Sequence, residues 1–187
     1  GSPAVLSNFS RLVIDPNRGE DDPTLLMKLY DGTLIPANRH ADADEVERRL
    51  DALHRPYHDA LTRVIAARPQ PVILSIHSFT PQLAGRPSRP WHVGILSADD
   101  RRLANPLLER LMAEDDLCVG DNEPYLGKLP GDAMDRHALQ HDRLHVLLEV
   151  RNDLIETPSQ QLNWATRLAP IFTAALADIS TQELPHG

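Results

Sequence analysis

The stretch HVLLEVR, residues 145–151, constrains the fold of this chain more than any other. Side chains alternate along an extended strand, so Val146, Leu148 and Val150 share one face and His145, Leu147, Glu149 and Arg151 the other. A wholly apolar face needs a second layer packed against it. On the opposite face, a carboxylate within a largely hydrophobic strand would be desolvated, which raises its pKa toward the range of a general base, while a nearby cation would lower it again. Glu149 is therefore the acid/base candidate. A structural Glu149–Arg151 ion pair near a sheet end satisfies the same pattern.

Other segments fit around this strand. Val72–Ile76, bounded by Pro71 and the turn at Phe79-Thr80-Pro81, reads as a strand buried on both faces, which puts His77 at its end, where α/β sheets hold their ligands. His92–Leu96 reads as another strand, and Ala4–Leu6 and Leu12–Ile14 as two short ones. Helical spacing runs from Asp42 to Ala67 through Val46, Leu50, Leu53, Tyr57, Leu61 and Val64, with a kink expected at Pro56. It recurs over 99–113 through Leu103, Leu107, Leu108 and Leu111. Thr157-Pro158-Ser159-Gln160 carries the marks of a helix start, with Thr157 as cap and Gln160 closing a capping box, and that helix should run to about Ile179 with a kink at Pro170. Strands interleaved with helices predict an α/β, three-layer sandwich with helices on both faces of the sheet.

Composition narrows the function. With 19 Lys plus Arg against 27 Asp plus Glu, a formal charge of −8 leaves no broad basic surface for nucleic acid or anionic membrane. The single cysteine, Cys118, excludes an internal disulfide framework, and no apolar run approaches the roughly 20 residues that span a bilayer, so a cytoplasmic protein of one domain is expected. Cys118 lies between Leu117 and Val119 with no activating neighbour and reads as a buried thiol.

Histidine spacing invites metal readings. His54 and His58 stand four apart on a helix, but Pro56 lies between them and no third ligand is evident, which makes a hydrogen-bonded structural role for His58 the simpler reading. His137, His141 and His145 also recur every four residues, yet His145 belongs to the extended segment, so the three need not converge. His77 could ligate zinc through a neutral imidazole or serve as a hydrogen-bonded strand residue. Asn17 and Arg18 follow the Leu12–Ile14 segment directly: a guanidinium binds a carboxylate with two parallel hydrogen bonds and the amide adds a donor, although Asp15 or the cluster Glu20, Asp21 and Asp22 would pin the same loop.

Taken in order, SRLVIDPNR (10–18), RPYH (55–58), SIHSFTP (75–81), RPWHVGIL (89–96), DNEPY (121–125) and HVLLEVRNDLI (145–155) resemble the N-formylglutamate amidohydrolase family. The resemblance implies a zinc-carboxypeptidase-like (phosphorylase/hydrolase-like) α/β sandwich around a mixed sheet, and a namesake reaction that removes formate from N-formyl-L-glutamate in histidine degradation. It assigns His77 as a zinc ligand, Glu149 as the carboxylate that assists water attack, Arg151 as its orienter or a substrate contact, Asn17 and Arg18 as the grip on a substrate carboxylate, and His92 and His145 as further substrate-side donors. Zn2+ would polarise the acyl carbonyl and activate a water. Family members bring another histidine and an acidic ligand from a preceding segment resembling DHAS or PHSG. This sequence opens near SRLVID, so the expectation is a single domain over 1–187 lacking that N-terminal strand and metal-ligand loop, with an incomplete zinc site, activity that belongs to the intact protein, and apolar surface exposed or covered in a homo-oligomer. The partner implied is a small N-acyl amino acid. A non-catalytic ligand-binding or regulatory protein on the same scaffold, and a zinc peptidase, are the alternatives.

Overall fold

Residues His145–Arg151 form the strand that their alternation predicts. In the computed structural model, which describes residues 2–182, the elements run β1 (Leu29–Tyr30), β2 (Thr33–Leu34), α1 (Ala43–Arg49), α2 (Arg55–Ala66), β3 (Ile73–Phe79), β4 (Val93–Leu96), α3 (Ala104–Met112), β5 (Val119–Asp121), α4 (Ala133–His137), β6 (His145–Arg151) and α5 (Pro158–Gln182). Among the described residues they gather into two units, 2–72 with 129–143, and 73–128 with 144–182.

The second unit holds a mixed sheet in the order β3-β6-β4-β5, with β3 parallel and β4 antiparallel to β6, and β5 parallel to β4. Strand β6 is hydrogen-bonded on both edges, and residues 145–150 are all buried. Its Val146, Leu148 and Val150 pack with Val93 and Ile95 against Leu107, Leu108 and Leu111 of α3 and Leu168 and Ala175 of α5. Each large aliphatic side chain so buried contributes about 1.5–3 kcal/mol. The start of α5 is the capping box read from sequence: the Thr157 amide donates to Gln160 Oε1 (2.8 Å) and the Gln160 amide to Thr157 Oγ1 (3.3 Å).

Three expectations in this unit change. Strand β3 continues to Phe79 because every residue from Ile73 to Phe79 finds a register partner on β6, so His77 lies inside the strand rather than at its end. Only one face of β3 is covered, and Leu74 (38 %) and Ile76 (60 %) are exposed on the other. Helix α3 begins at Ala104 rather than at 99, since the Asp100 carboxylate holds the Arg102 amide in a preceding turn at 3.1 Å.

In the first unit, the strands expected at Ala4–Leu6 and Leu12–Ile14 do not form. The backbone of the second segment is satisfied by buried side chains instead of by a ladder. Asn38, fully buried, donates from Nδ2 to the Leu12 and Met27 carbonyls (2.7 Å each), and Arg49 donates from Nη1 to the Val13 carbonyl (2.6 Å) and to Asn38 Oδ1 (2.7 Å). Ile14, Leu25 and Leu50 form the core there, with Phe9, Val46 and Leu53 against them. The long helix expected over 42–67 is interrupted at Leu50–His54 by a π-helical turn, and Pro56 falls in the first turn of α2 directly after it. No helix among the described residues is long and apolar enough to cross a membrane.

Candidate active site

Glu149 is 5 % exposed and lies directly across from His77 in the parallel β3–β6 register. Oε1 of Glu149 stands 3.9 Å from Nδ1 of His77. That separation is too long for a hydrogen bond, and it leaves a carboxylate and an imidazole addressing the same small volume. On the other side of β6, Glu149 faces Gly94 of β4, which in turn faces Gly120 of β5. A Cβ at Gly94 would collide with the Glu123 carbonyl oxygen and stand 3.8 Å from the Glu149 Cβ, so the absent side chain is what lets the 121–125 loop lie against this face of the sheet. Asn122 pins that loop by accepting from the Ser97 and Gly127 amides, both at 3.0 Å. Arg89 closes the neighbourhood: it lies over the rings of Phe79 (5.8 Å) and Tyr125 (5.0 Å) and donates to the Tyr125 hydroxyl at 3.1 Å.

The remaining site candidates are distributed differently. Arg151 pairs with Asp153 at 2.8 Å and reaches the Arg89 and Trp91 carbonyls, each at 3.3 Å, so it braces the loop before β4. His145 occupies the opposite end of β6, its Nδ1 at 3.7 Å from Asp100 Oδ2. His92 accepts from the Cys118 amide at Nδ1 (2.8 Å) and lines a separate cleft with Asp116, Leu117, Leu154, Asn163, Trp164 and Arg167. Cys118 is exposed rather than buried, because only its backbone engages His92, through the amide and through a carbonyl that accepts from the His92 amide at 2.8 Å.

Asn17 and Arg18 belong to the first unit. The Asn17 amide donates to Asp15 Oδ1 at 2.9 Å, and its buried Oδ1 has no hydrogen-bond partner. Arg18 donates from Nε to Thr24 Oγ1 (3.0 Å) and from Nη1 to the Asn17 carbonyl (2.7 Å), with the Asp22 carboxylate at 4.0 Å. Both hydrogen-bond acceptors are neutral, and Asp22 completes the surroundings as an ion-pair partner at 4.0 Å.

The first unit also holds a histidine column that spacing concealed. His54 and His58 are each 1 % exposed and His137 4 %. The rings of His54 and His58 lie 4.4 Å apart, those of His58 and His137 stack at 5.1 Å, and Nδ1 of His58 meets Nε2 of His137 at 2.8 Å. One of those nitrogens must donate and the other accept, so the pair cannot both be protonated. Burial first, then the neighbouring His54, Arg136 and His137, holds His58 down at about 3, while a Pro16 carbonyl works the other way. Burial first, then Arg136, Arg143 and His141, holds His137 down at about 4. His58 and His137 are 79 positions apart, and nothing local in the sequence pairs them.

Metal binding is tested by the donors present. Among the described residues no group of three or more His, Cys, Asp or Glu side chains is disposed to hold an ion, and His77 with Glu149 makes two donors. That set does not fit a three-ligand zinc site.

The family model for N-formylglutamate amidohydrolase matches residues 1–156. Gene product Atu2144 of Agrobacterium tumefaciens, known from its crystal structure, is 36 % identical over 92 % of this chain and 69 % of its own, with a TM-score of 0.84. The crystal structure of an N-formylglutamate amidohydrolase from Ralstonia eutropha JMP134 shares the fold at 20 % identity and a TM-score of 0.61, over 91 % of this chain and 73 % of its own. A comparison with curated proteins finds no match.

Proposed function

Because the chain belongs to the N-formylglutamate amidohydrolase family, we propose that it hydrolyses the amide of a small, carboxylate-bearing N-acyl amino acid, with N-formyl-L-glutamate as the first candidate. The observation that carries this reading is the buried Glu149 set across from His77 on one face of the sheet. Glu149 takes a proton from water, the water oxygen adds to the acyl carbon, and the oxyanion that results accepts a hydrogen bond from the His77 ring N–H. Glu149 then returns its proton to the amide nitrogen as the C–N bond breaks, leaving formate and the free amino acid. The Asn17–Arg18 loop, in the first unit, carries a guanidinium of the kind that binds a carboxylate.

The test is formate release from N-formyl-L-glutamate, compared between the wild-type chain and Glu149→Gln, with and without added zinc. Loss of the proton acceptor should slow release by about 10²–10⁴-fold, and an unchanged rate in Glu149→Gln overturns the assignment. The two-donor set also favours a second reading, a scaffold that binds the amino acid without turning it over. Stoichiometric binding with no formate released selects it.

A further inference from the structure

We propose that His54 is a positioning residue for Arg18, holding the backbone of the Asn17–Arg18 loop from beneath through its ring Nε2–H; this rests on the reading of that loop as a grip for a carboxylate. Nε2 of His54 lies 2.9 Å from the Arg18 carbonyl oxygen. A carbonyl only accepts, so Nε2 carries the hydrogen. Nδ1 is buried with no hydrogen-bond partner, which favours a neutral ring with its hydrogen on Nε2. Desolvation acts in the same direction and lowers the pKa of His54, ahead of the opposing effects of the Arg18 carbonyl and Glu20.

The other side of Arg18 is fixed as well. The Arg18 amide donates to the Asp15 carbonyl at 3.2 Å, and the Asp15 amide to the Leu25 carbonyl at 2.8 Å. Arg18 therefore sits between two held peptide groups, and its side chain departs from a backbone with little freedom to turn. Only one of those peptide groups is held by a side chain from another element, and that side chain is His54, at the end of the π-helical turn. The ring itself is braced. His58 lies against it at 4.4 Å and is hydrogen-bonded to His137, whose carbonyl accepts from Arg143 at 2.7 Å. Charged groups acting on the column are Glu20, Arg55 and Arg136 around His54, and Arg136, Arg143 and His141 around His137. A guanidinium whose own hydrogen bonds go to Thr24 and to the Asn17 carbonyl, with only a 4.0 Å contact to Asp22 to give up, can receive a carboxylate provided the loop keeps its shape.

The test is calorimetric titration with glutarate, a dicarboxylate with no scissile bond, into wild type, Arg18→Ala, His54→Gln and His54→Asn. The glutamine amide nitrogen reaches the position of Nε2, whereas the asparagine nitrogen stops near that of Nδ1. We expect His54→Gln to bind within about threefold of wild type and His54→Asn to bind at least about tenfold more weakly, at equal melting temperatures. A role confined to core packing would not separate the two variants, so equal affinities for Gln and Asn overturn the inference while leaving the Arg18 reading in place. Absence of glutarate binding in wild type, or full affinity in Arg18→Ala, overturns the Arg18 reading itself and this inference with it.

Discussion

Acidification should destabilise the first unit through its histidine column, at a pH above that at which Glu20 and Glu45 titrate. His58 and His137 are held at about 3 and about 4 in the folded chain, against an ordinary value of 6.5. Groups whose folded pKa is depressed contribute stability that is complete above the unfolded value and is withdrawn as pH falls toward the folded one. Each pH unit below 6.5 therefore removes about 1.4 kcal/mol per histidine. At about pH 5 the loss is about 2 kcal/mol for each and about 4 kcal/mol for the pair, a large share of an ordinary domain's stability. His54, lowered by burial, adds in the same direction. Glu20 is lowered chiefly by its hydrogen bond to Arg55, and Glu45 is held at about 2 by Arg48 and Arg49, so both titrate below this window. Burial raises Asp132, which opposes the trend.

Amide hydrogen exchange resolved on the segments 55–66 and 133–137 is the suitable assay, because Trp91 and Trp164 both lie in the other unit and fluorescence would report on it instead. Protection, corrected for intrinsic exchange, should fall by about three decades between about pH 7.5 and about pH 5. In the double variant His58→Gln, His137→Gln that slope should shrink to the share of His54. Protection that is flat across the window, or a slope that survives undiminished in the double variant, refutes the reasoning.

Other outcomes follow from the packing. Asn38→Ala removes donors to two carbonyls and the acceptor of Arg49, so it should destabilise the first unit by about 2–4 kcal/mol, read from chemical denaturation; a loss under about 0.5 kcal/mol would show that the loop is held otherwise. Gly94→Ala drives a methyl into the Glu123 carbonyl, which should cost about 1–3 kcal/mol in stability and displace the 121–125 loop, whereas an unchanged melting temperature would contradict the close approach. Zinc titration by calorimetry should show no site tighter than about 1 µM, or about 8 kcal/mol; a tighter one would mean donors converge beyond His77 and Glu149.

Local periodicity was enough for β6, for the helical stretch that became α1 and α2, and for the capping box that opens α5, since periods of two and 3.6 and a four-residue cap are written within a few neighbouring positions. The order of short motifs likewise carried the family. His77 and Glu149 were legible as single residues, but their meeting depended on the parallel register of two strands 72 positions apart, which no local pattern encodes. Tertiary structure also decided that 12–14 is a loop: its extended, apolar look suits a strand, yet the side chains of Asn38 and Arg49 meet its carbonyls and no ladder is needed. The same holds for Cys118, whose apolar neighbours suggested burial while its backbone contacts leave the thiol at the surface. His54, His58 and His137 become a column for one reason, that the fold removes all three from water at the same place, and desolvation belongs to the packed chain rather than to any stretch of its sequence.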